Sequence, residues 1–188
     1  MKVWMIRHGE SETNKFGLWT GWLDPQLTEK GREEAALVSK VVSGVSFDKI
    51  YSSDLLRAKS TAETAIPGCK YETTEMLREV NVGNIAGKPL SAVMDSNNRP
   101  MNTDGYAVFG GESTEEFRSR VAGFMKFLES KNCENIAVFS HAGFLRSFLD
   151  LVLGVELDRK NISCKNCAIA IFEYSNFNWK LHSWINLY

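Results

Sequence analysis

The sequence predicts an α/β fold, in which a mainly parallel sheet is covered by helices on both faces. Short apolar segments with strand character alternate along the chain with longer segments whose apolar residues recur at helical spacing. The 188 residues suit one domain, and 44% of them are hydrophobic, which is enough for a substantial core. No repeat, linker or low-complexity block indicates a second unit, so residues 1–188 are interpreted as a single domain.

The first half of the chain is expected to contain three strands and two helices. In chain order they are a strand at 2–6, a helix from Thr28, a strand at 48–51, a helix at about 54–65 with Ser53 as its N-cap, and a short edge strand at 70–72. Pro67 and Gly68 end the second helix, because neither residue continues a helix readily.

The second half is expected to contain two helices, a buried strand and a closing hairpin. Ser113 and Glu116 have the capping-box spacing and open a long helix. The remaining elements are a buried strand at 136–139, an apolar helix at 144–153 that ends at Gly154, and a hairpin of 168–173 with 179–185. Residues 84–112 are the least regular, and we expect them to form a short cap-like segment over a site.

Charge and hydropathy exclude several classes of partner. The formal net charge is −1, which argues against broad binding to nucleic acid or to an anionic membrane. No apolar run approaches the length of a membrane span, and no signal-peptide pattern opens the chain. We therefore expect a cytoplasmic protein that binds a small molecule and uses no cofactor. The sequence leaves open whether the protein forms a homodimer.

The four cysteines are expected to be free thiols. Cys164 and Cys167 have a spacing seen in metal and redox sites. A tetrahedral zinc site needs two further ligands, and the sequence has no second close pair of Cys or His. A metal site is therefore not expected, and a redox or metal role for this pair is the alternative interpretation.

Two histidines follow apolar strands directly. Arg7 and His8 come after the apolar run 3–6, and His141 comes after the predicted strand at 136–139. Ligands bind at the carboxyl ends of strands in open α/β sheets. A histidine at such a position can act as a nucleophile, and an adjacent arginine can neutralise an anion. A buried structural histidine is the alternative interpretation.

These segments resemble the histidine phosphatase superfamily in its phosphoglycerate-mutase-like branch, including broad-range phosphatases and α-ribazole phosphatase. The matching segments occur in the family's order and span nearly the whole chain. They are residues 7–11 with Asn14, 21–24 followed by 27–31, 52–58, 77–83, 110–113 and 140–143. The resemblance implies a three-layer α/β/α sandwich whose mainly parallel sheet has one antiparallel edge strand.

The resemblance also implies the roles of five catalytic residues. His8 would carry a phosphohistidine intermediate, and Glu79 would be the proton donor. Arg7 and Arg57 would clamp the phosphate, because a guanidinium presents a planar fork to phosphate oxygens. His141 would donate a hydrogen bond to the transferring group. Alternatively, Arg57 is a solvated helix residue and Glu79 forms a surface salt bridge with the neighbouring arginine.

Four further residues are candidates for binding. The amide of Asn14 and the backbone N–H of Ala142 would hold phosphate oxygens, although Asn14 could instead form a local Asx-turn. Gly21 and Trp22 would line the substrate pocket, with ordinary packing of their loop as the alternative. The chain departs from many relatives at 83–87, where Gly-Asn-Ile-Ala-Gly replaces Gly-x-Trp-Glu-Gly. This departure should alter contacts near the proton donor without removing it.

Three functions are compatible with these motifs. The leading hypothesis is a metal-independent phosphomonoesterase acting on a small phosphorylated metabolite. The second is a phosphoglycerate mutase, which would use the same intermediate in a closed, water-poor site. The mutases resembled have a longer insert between the donor glutamate and residues 110–113, which favours the first hypothesis. A catalytically inactive binding module on the same fold is the third.

Overall fold

The computed structural model describes residues 1–93, 104–157 and 162–188. Within these ranges the chain forms six strands and five α-helices. In order they are β1 (Lys2–Arg7), α1 (Glu12–Lys15), α2 (Glu29–Val42), β2 (Lys49–Ser53), α3 (Leu56–Ala65), β3 (Glu72–Thr74), α4 (Thr114–Glu129), β4 (Asn135–Ser140), α5 (Ala142–Leu153), β5 (Ile169–Ser175) and β6 (Asn178–Ile185). Short 3-10 turns connect β3 to α4.

The six strands form one sheet in the order β3-β2-β4-β1-β5-β6. The first four strands in this order are parallel, whereas β5 runs antiparallel to β1 and β6 antiparallel to β5. The β5–β6 hairpin, which turns at Asn176 and Phe177 with positive φ at both residues, forms the antiparallel edge. The expected mainly parallel sheet with an antiparallel edge is confirmed.

Helices cover both faces of the sheet and create two apolar cores. On one face, Phe124 of α4 and Phe148 of α5 pack against β-strand residues such as Val138. On the other face, Val38 of α2 and Ala62 of α3 belong to a second cluster. The predicted three-layer sandwich is confirmed, and the helices keep water from both surfaces of the central strands.

Two predicted helix ends are confirmed in atomic detail. At the start of α4, Ser113 Oγ accepts a hydrogen bond from the Glu116 N–H at 3.1 Å, and the Glu116 carboxylate accepts one from the Ser113 N–H at 2.8 Å. At the end of α5, Gly154 adopts the left-handed conformation with φ of 68°. Both ends follow local rules, because the capping groups lie within a few residues of each other.

Several boundaries differ from the prediction by one or two residues, and two of them concern the start of a whole element. Helix α3 begins at Leu56 with Leu55 as its N-cap, so the prediction of Ser53 as N-cap is wrong. The Leu56 N–H instead donates to the carboxylate of Asp24 at 2.5 Å, from a loop 32 residues earlier. Strand β3 lies two residues beyond its predicted position, where Glu72 pairs with Tyr51 of β2.

The cap-like segment expected at 84–112 is described at 84–93 and 104–112, and its middle lies outside the described residues. All four cysteines are free, as predicted, and Cys164 and Cys167 are buried. No helix in the described ranges is long and apolar enough to cross a membrane.

Candidate active site

The two histidines at strand ends come together at the centre of the sheet. Strands β1 and β4 are parallel neighbours in which Arg7 lies opposite Ser140, so the residues that follow them, His8 and His141, emerge side by side. The His8 N–H donates to Ser140 O at 3.0 Å, and the two imidazole rings lie 5.1 Å apart between centroids. Both side chains are buried.

The His8 ring is held in one tautomer. Its Nδ1 lies 2.7 Å from the carbonyl oxygen of Gly9, and because a carbonyl only accepts, Nδ1 carries the hydrogen. Burial lowers the pKa of His8 well below its usual value, and the positive charges of Arg57 and Arg7 lower it further. His8 is therefore neutral near neutral pH, and its Nε2 carries a lone pair that accepts a hydrogen bond from Arg57 in this structure.

His141 has no hydrogen-bond partner on either ring nitrogen among the described residues, although the side chain is completely buried. Burial is the largest cause that lowers its pKa, followed by the charge of Arg57, so this ring is neutral as well. A buried polar ring without a partner costs free energy, which a hydrogen bond to a bound ligand would recover.

Arg57 is buried beside the two histidines. Its Nε donates to His8 Nε2 at 3.3 Å, while its two terminal nitrogens donate to the carbonyl oxygens of Gly21 and Leu23 at 2.9 and 2.7 Å. Burial lowers its pKa to about 10, against the opposing effect of the Glu79 carboxylate, so the guanidinium stays charged at neutral pH. The alternative of a solvated helix residue is wrong, because Arg57 is 0% exposed.

The carboxylate of Glu79 lies at the N-terminus of α5. It accepts the N–H of Val80 at 2.9 Å and that of Gly143 at 3.1 Å. Any Cβ at Gly143 would overlap this carboxylate, so the close approach requires a glycine. The alternative of a salt bridge with the neighbouring Arg78 is wrong, since Arg78 pairs with Asp54 at 2.9 Å.

The backbone around Glu79 is held by side chains from three other segments. The carbonyl oxygen of Glu79 accepts Trp22 Nε1 at 2.8 Å and Arg120 Nη2 at 3.1 Å. Ser140 Oγ donates to Leu77 O at 2.7 Å, which joins the segment that carries Glu79 to the end of β4. Trp22 therefore positions the backbone of Glu79, and its side chain remains 38% exposed. That Trp22 lines the substrate pocket stays a prediction.

Arg120 is a residue that sequence reasoning missed. Its guanidinium donates to the carbonyl oxygens of Met76 and Arg78 at 2.9 and 2.8 Å, besides that of Glu79, and forms a two-pronged ion pair with Glu112. The available signal was an arginine placed within the apolar stripe of α4. A charged side chain on the apolar face of a helix is expected to have hydrogen-bond or ion-pair partners, because an unpaired charge there is costly.

Arg7 and Asn14 lie close to the His8 main chain. Arg7 Nη1 donates to Cys164 O at 2.6 Å, and its charge lowers the pKa of His8. Asn14 Oδ1 accepts both the Ser11 N–H, at 3.3 Å, and Asn166 Nδ2, at 3.2 Å. Asn166 was not singled out as a site residue, yet its Nδ2 also lies 3.2 Å from His8 O.

The assembled groups suit transfer of a phosphoryl group. Two neutral imidazoles and a buried guanidinium are gathered near one carboxylate, and Ala142 begins α5 immediately after His141. Cationic and N–H donors neutralise non-bridging oxygens, while a carboxyl group can transfer a proton. Within the described ranges, no cluster of three or more His, Cys, Asp or Glu residues could hold a metal ion.

Comparison with known proteins agrees with this arrangement. The model of the histidine phosphatase superfamily (branch 1) matches residues 3–187. A relative from Hydrogenobacter thermophilus, named "Putative phosphoserine phosphatase 2", is 31% identical over 89% of this chain and 87% of its own length. Another from Photorhabdus laumondii, named "Probable phosphoglycerate mutase GpmB", is 28% identical over 98% of this chain and 90% of its own.

Solved structures show the same fold. A mutant phosphoserine phosphatase from Entamoeba histolytica, in complex with phosphoserine, superposes with a TM-score of 0.82 at 26% identity, over 97% of this chain and 95% of that one. The α-ribazole phosphatase from Shigella flexneri has a TM-score of 0.82 at 24% identity, over 98% and 96% of the two chains. With the family model spanning nearly the entire sequence, the chain belongs to branch 1 of the histidine phosphatase superfamily.

Proposed function

We propose that this protein is a phosphomonoesterase that transfers the phosphoryl group of a small metabolite to His8. The observation that carries the proposal is the state of the His8 ring. Its Nδ1–H is committed to Gly9 O, which leaves the Nε2 lone pair facing the charged Arg57 guanidinium. A neutral nucleophile beside a cation is what attack on a phosphate dianion requires.

The reaction divides into two displacements at phosphorus. In the first, a bond forms between His8 Nε2 and phosphorus while the ester P–O bond breaks, and the leaving alkoxide takes a proton from the Glu79 carboxyl group. In the second, water attacks the phosphohistidine and gives its proton to Glu79, the P–N bond breaks and inorganic phosphate leaves. Arg57, Arg7 and His141 would hold the non-bridging oxygens through both steps.

Relatives support a small phosphorylated metabolite as the substrate. One relative carries the name of a phosphoserine phosphatase, and a phosphoserine phosphatase structure with bound phosphoserine shares the fold at 26% identity. We therefore place O-phosphoserine first among substrates to be tested.

A phosphoglycerate mutase is the second candidate, because a relative with that name is 28% identical over nearly the whole chain. A mutase must keep the phosphohistidine away from water while the acceptor reorients. Only residues 80–109 separate Glu79 from the 110–113 motif, which is little chain for a cover with its own secondary structure. We therefore expect hydrolysis to outrun isomerisation.

The deciding experiment supplies O-phosphoserine and, separately, 3-phosphoglycerate with and without 2,3-bisphosphoglycerate. We expect release of inorganic phosphate, little 2-phosphoglycerate, and a phosphohistidine detectable by mass spectrometry in rapidly quenched samples. In the His8→Ala variant both the adduct and turnover should vanish while circular dichroism stays unchanged. Isomerisation much faster than phosphate release would make the protein a compact mutase, and neither turnover nor adduct with any phosphomonoester would make it a binding module.

A further inference from the structure

The turn at 163–167, just before β5, lies against the end of β1. The His8 carbonyl oxygen accepts the Cys167 N–H at 3.3 Å, and the Arg7 N–H donates to Ala168 O at 3.0 Å. This turn contains the two cysteines whose spacing is also seen in metal and redox sites. The spacing therefore belongs to a turn that packs against the candidate nucleophile.

Cys167 gives the turn an unusual backbone conformation. Its φ is 56°, in the left-handed region, although its side chain is buried and has a Cβ. Such a conformation is unfavourable for a residue other than glycine, and it persists where the surrounding structure requires it. Here the Cys167 N–H and the side chain of Asn166 reach the same acceptor, His8 O.

Contacts on both sides of Asn166 keep its backbone in place. Arg7 Nη1 donates to Cys164 O at 2.6 Å, which ties the first half of the turn to β1. Tyr188 Oη donates to Asn166 O at 2.7 Å, which ties the second half to the segment after β6. The half-buried Asn166 side chain therefore projects from a backbone that is held at two points.

Asn166 directs its NH2 group at two acceptors. Its Nδ2 lies 3.2 Å from His8 O and 3.2 Å from Asn14 Oδ1. A carbonyl oxygen only accepts hydrogen bonds, so the atom of Asn166 that faces His8 O is the amide nitrogen. The group carries two hydrogens, which is enough for both acceptors.

The partners of Asn14 fix the direction of its own amide in the same way. The Ser11 N–H donates to this amide at 3.3 Å, and because a backbone N–H only donates, the atom that faces it is Oδ1. Asn166 donates to the same oxygen. Both contacts are made by Oδ1, so the NH2 group of Asn14 lies on the other side of the amide and keeps its donors for another acceptor.

We propose that Asn166 is a positioning residue, which orients the Asn14 amide so that its NH2 group donates to a non-bridging oxygen of the phosphoryl group on His8. The inference rests on the proposed function, since it takes Asn14 as a ligand of that group. Asn166 acts through Asn14 and does not itself contact the substrate. An amide that is already oriented loses little rotational freedom when the phosphoryl group binds, which favours binding.

Two replacements of similar size test this role. Asn166→Leu removes the donor without adding charge, and it should lower both kcat/KM for p-nitrophenyl phosphate and the affinity for vanadate, a mimic of five-coordinate phosphorus, severalfold. Asn166→Asp places carboxylate oxygens opposite Asn14 Oδ1, so the Asn14 amide should turn its NH2 group towards them. The loss should then be about tenfold or more, as expected when a phosphate oxygen loses a charge-assisted hydrogen bond.

Asn178→Asp is the matched control, because it makes the same change of side chain at an exposed position. Asn178 pairs with Ser175 at the hairpin end of β5, whereas Ile169, at the other end of that strand, pairs with Ile6 next to Arg7. The control therefore lies at the far end of the sheet from His8, and it should leave both kcat/KM and vanadate affinity unchanged.

A double-mutant cycle with Asn14→Ala separates positioning from general damage. If Asn166 acts through Asn14, then Asn166→Leu should cause less than about a twofold further loss in the Asn14→Ala background, although it causes a severalfold loss alone. The same cycle is run with Asn166→Asp, which retains a polar side chain in the half-buried site. Circular dichroism of every variant checks that it is folded.

Two results would overturn the inference. One is an Asn166→Asp loss no greater than that of Asn178→Asp, and the other is an equal loss from the Asn166 replacements with and without the Asn14 side chain. Failure of the proposed function gives a different result, because the wild-type protein would then neither release phosphate from any phosphomonoester nor bind vanadate. In that case the positioning role fails together with the phosphatase proposal.

Discussion

The carboxylate of Glu79 rests directly on the backbone of Gly143, whose N–H it accepts at 3.1 Å. Gly143 is the second residue of α5, and that helix starts immediately after His141. One helix terminus thus fixes the separation between the candidate proton donor and the second histidine.

Replacing Gly143 by alanine should therefore displace the donor. The added methyl group would overlap the Glu79 carboxylate, and we expect kcat for alkyl phosphates to fall about tenfold or more, in line with the weight of general acid catalysis. Gly44→Ala is the matched control, because a Cβ there meets nothing within 4 Å. Steady-state kinetics of both variants is the measurement, and equal activities would show that the contact has no catalytic importance.

Glu79→Gln should slow substrates with poor leaving groups far more than activated aryl phosphates. An alkoxide needs a proton as it departs, whereas a nitrophenolate hardly does, so loss of the acid affects the two classes differently. The measurement is kcat/KM for O-phosphoserine and for p-nitrophenyl phosphate in the variant and in wild type. Equal losses for both substrates would assign Glu79 a positioning role and point to another proton donor.

The buried histidines predict how stability depends on pH. The folded-state pKa values of His8 and His141 are lowered, chiefly by burial, whereas an unfolded histidine has a pKa of about 6.5. As pH falls from about 7.5 to about 5.5, the unfolded state binds protons that the folded state does not. The free energy of unfolding should therefore fall on acidification, by roughly 1.4 kcal/mol for each such histidine.

Urea denaturation at both pH values measures this dependence. His141→Gln should remove about half of the histidine contribution, since His8 and His141 are the two histidines whose folded-state pKa values are lowered by burial. An identical pH dependence in wild type and His141→Gln would contradict the assignment of a neutral, buried imidazole.

Arg120→Lys should impair turnover although Arg120 does not contact the two histidines in the described structure. A single ammonium cannot replace donors to three carbonyl groups and a carboxylate, so the backbone around Glu79 should loosen. We expect kcat to fall several-fold for O-phosphoserine, with a smaller change in KM and little effect on aryl phosphates. Arg118→Lys, on the same helix, is the control, and equal losses for both substrate classes would indicate general destabilisation instead.

Activity should survive removal of divalent metals. In the proposed reaction, Arg7 and Arg57 would supply the positive charge that a metal ion would otherwise bring to the phosphoryl oxygens. After dialysis against EDTA, the rate of phosphate release should match that of the untreated protein. Complete loss that one added metal restores would refute the metal-independent reaction.

Sequence reasoning succeeded where structure is decided by nearby residues. The Ser113–Glu116 capping box and the glycine end of α5 are interactions within a few positions of the chain, so their patterns are visible locally. The meeting of His8 and His141 was also foreseeable, because parallel strands bring their carboxyl ends to one edge of the sheet.

Long-range contacts explain what the sequence left hidden. Helix α3 begins later than predicted because Asp24 accepts the N–H at its first residue, Leu56. No local pattern near Ser53 shows that partner. Similarly, the three carbonyl groups held by Arg120 lie more than 40 residues away along the chain. Glu112 belongs to the matching segment 110–113, but only the folded chain shows that it forms an ion pair with Arg120.

Gly83 and Gly111 bring the two ends of the segment between them into contact. Gly83 lies against the backbone of Phe109, and Gly111 against that of Asn81, so closely that a Cβ at either glycine would overlap the facing carbonyl oxygen. Glu112 links the same two stretches of backbone, because its carboxylate accepts the Asn81 N–H at 2.7 Å. The chain between these points can therefore change length at small entropic cost, about 0.6 kcal/mol for each doubling. Segments 84–109 from related proteins should therefore be exchangeable, altering substrate preference while His8 and Glu79 stay in place.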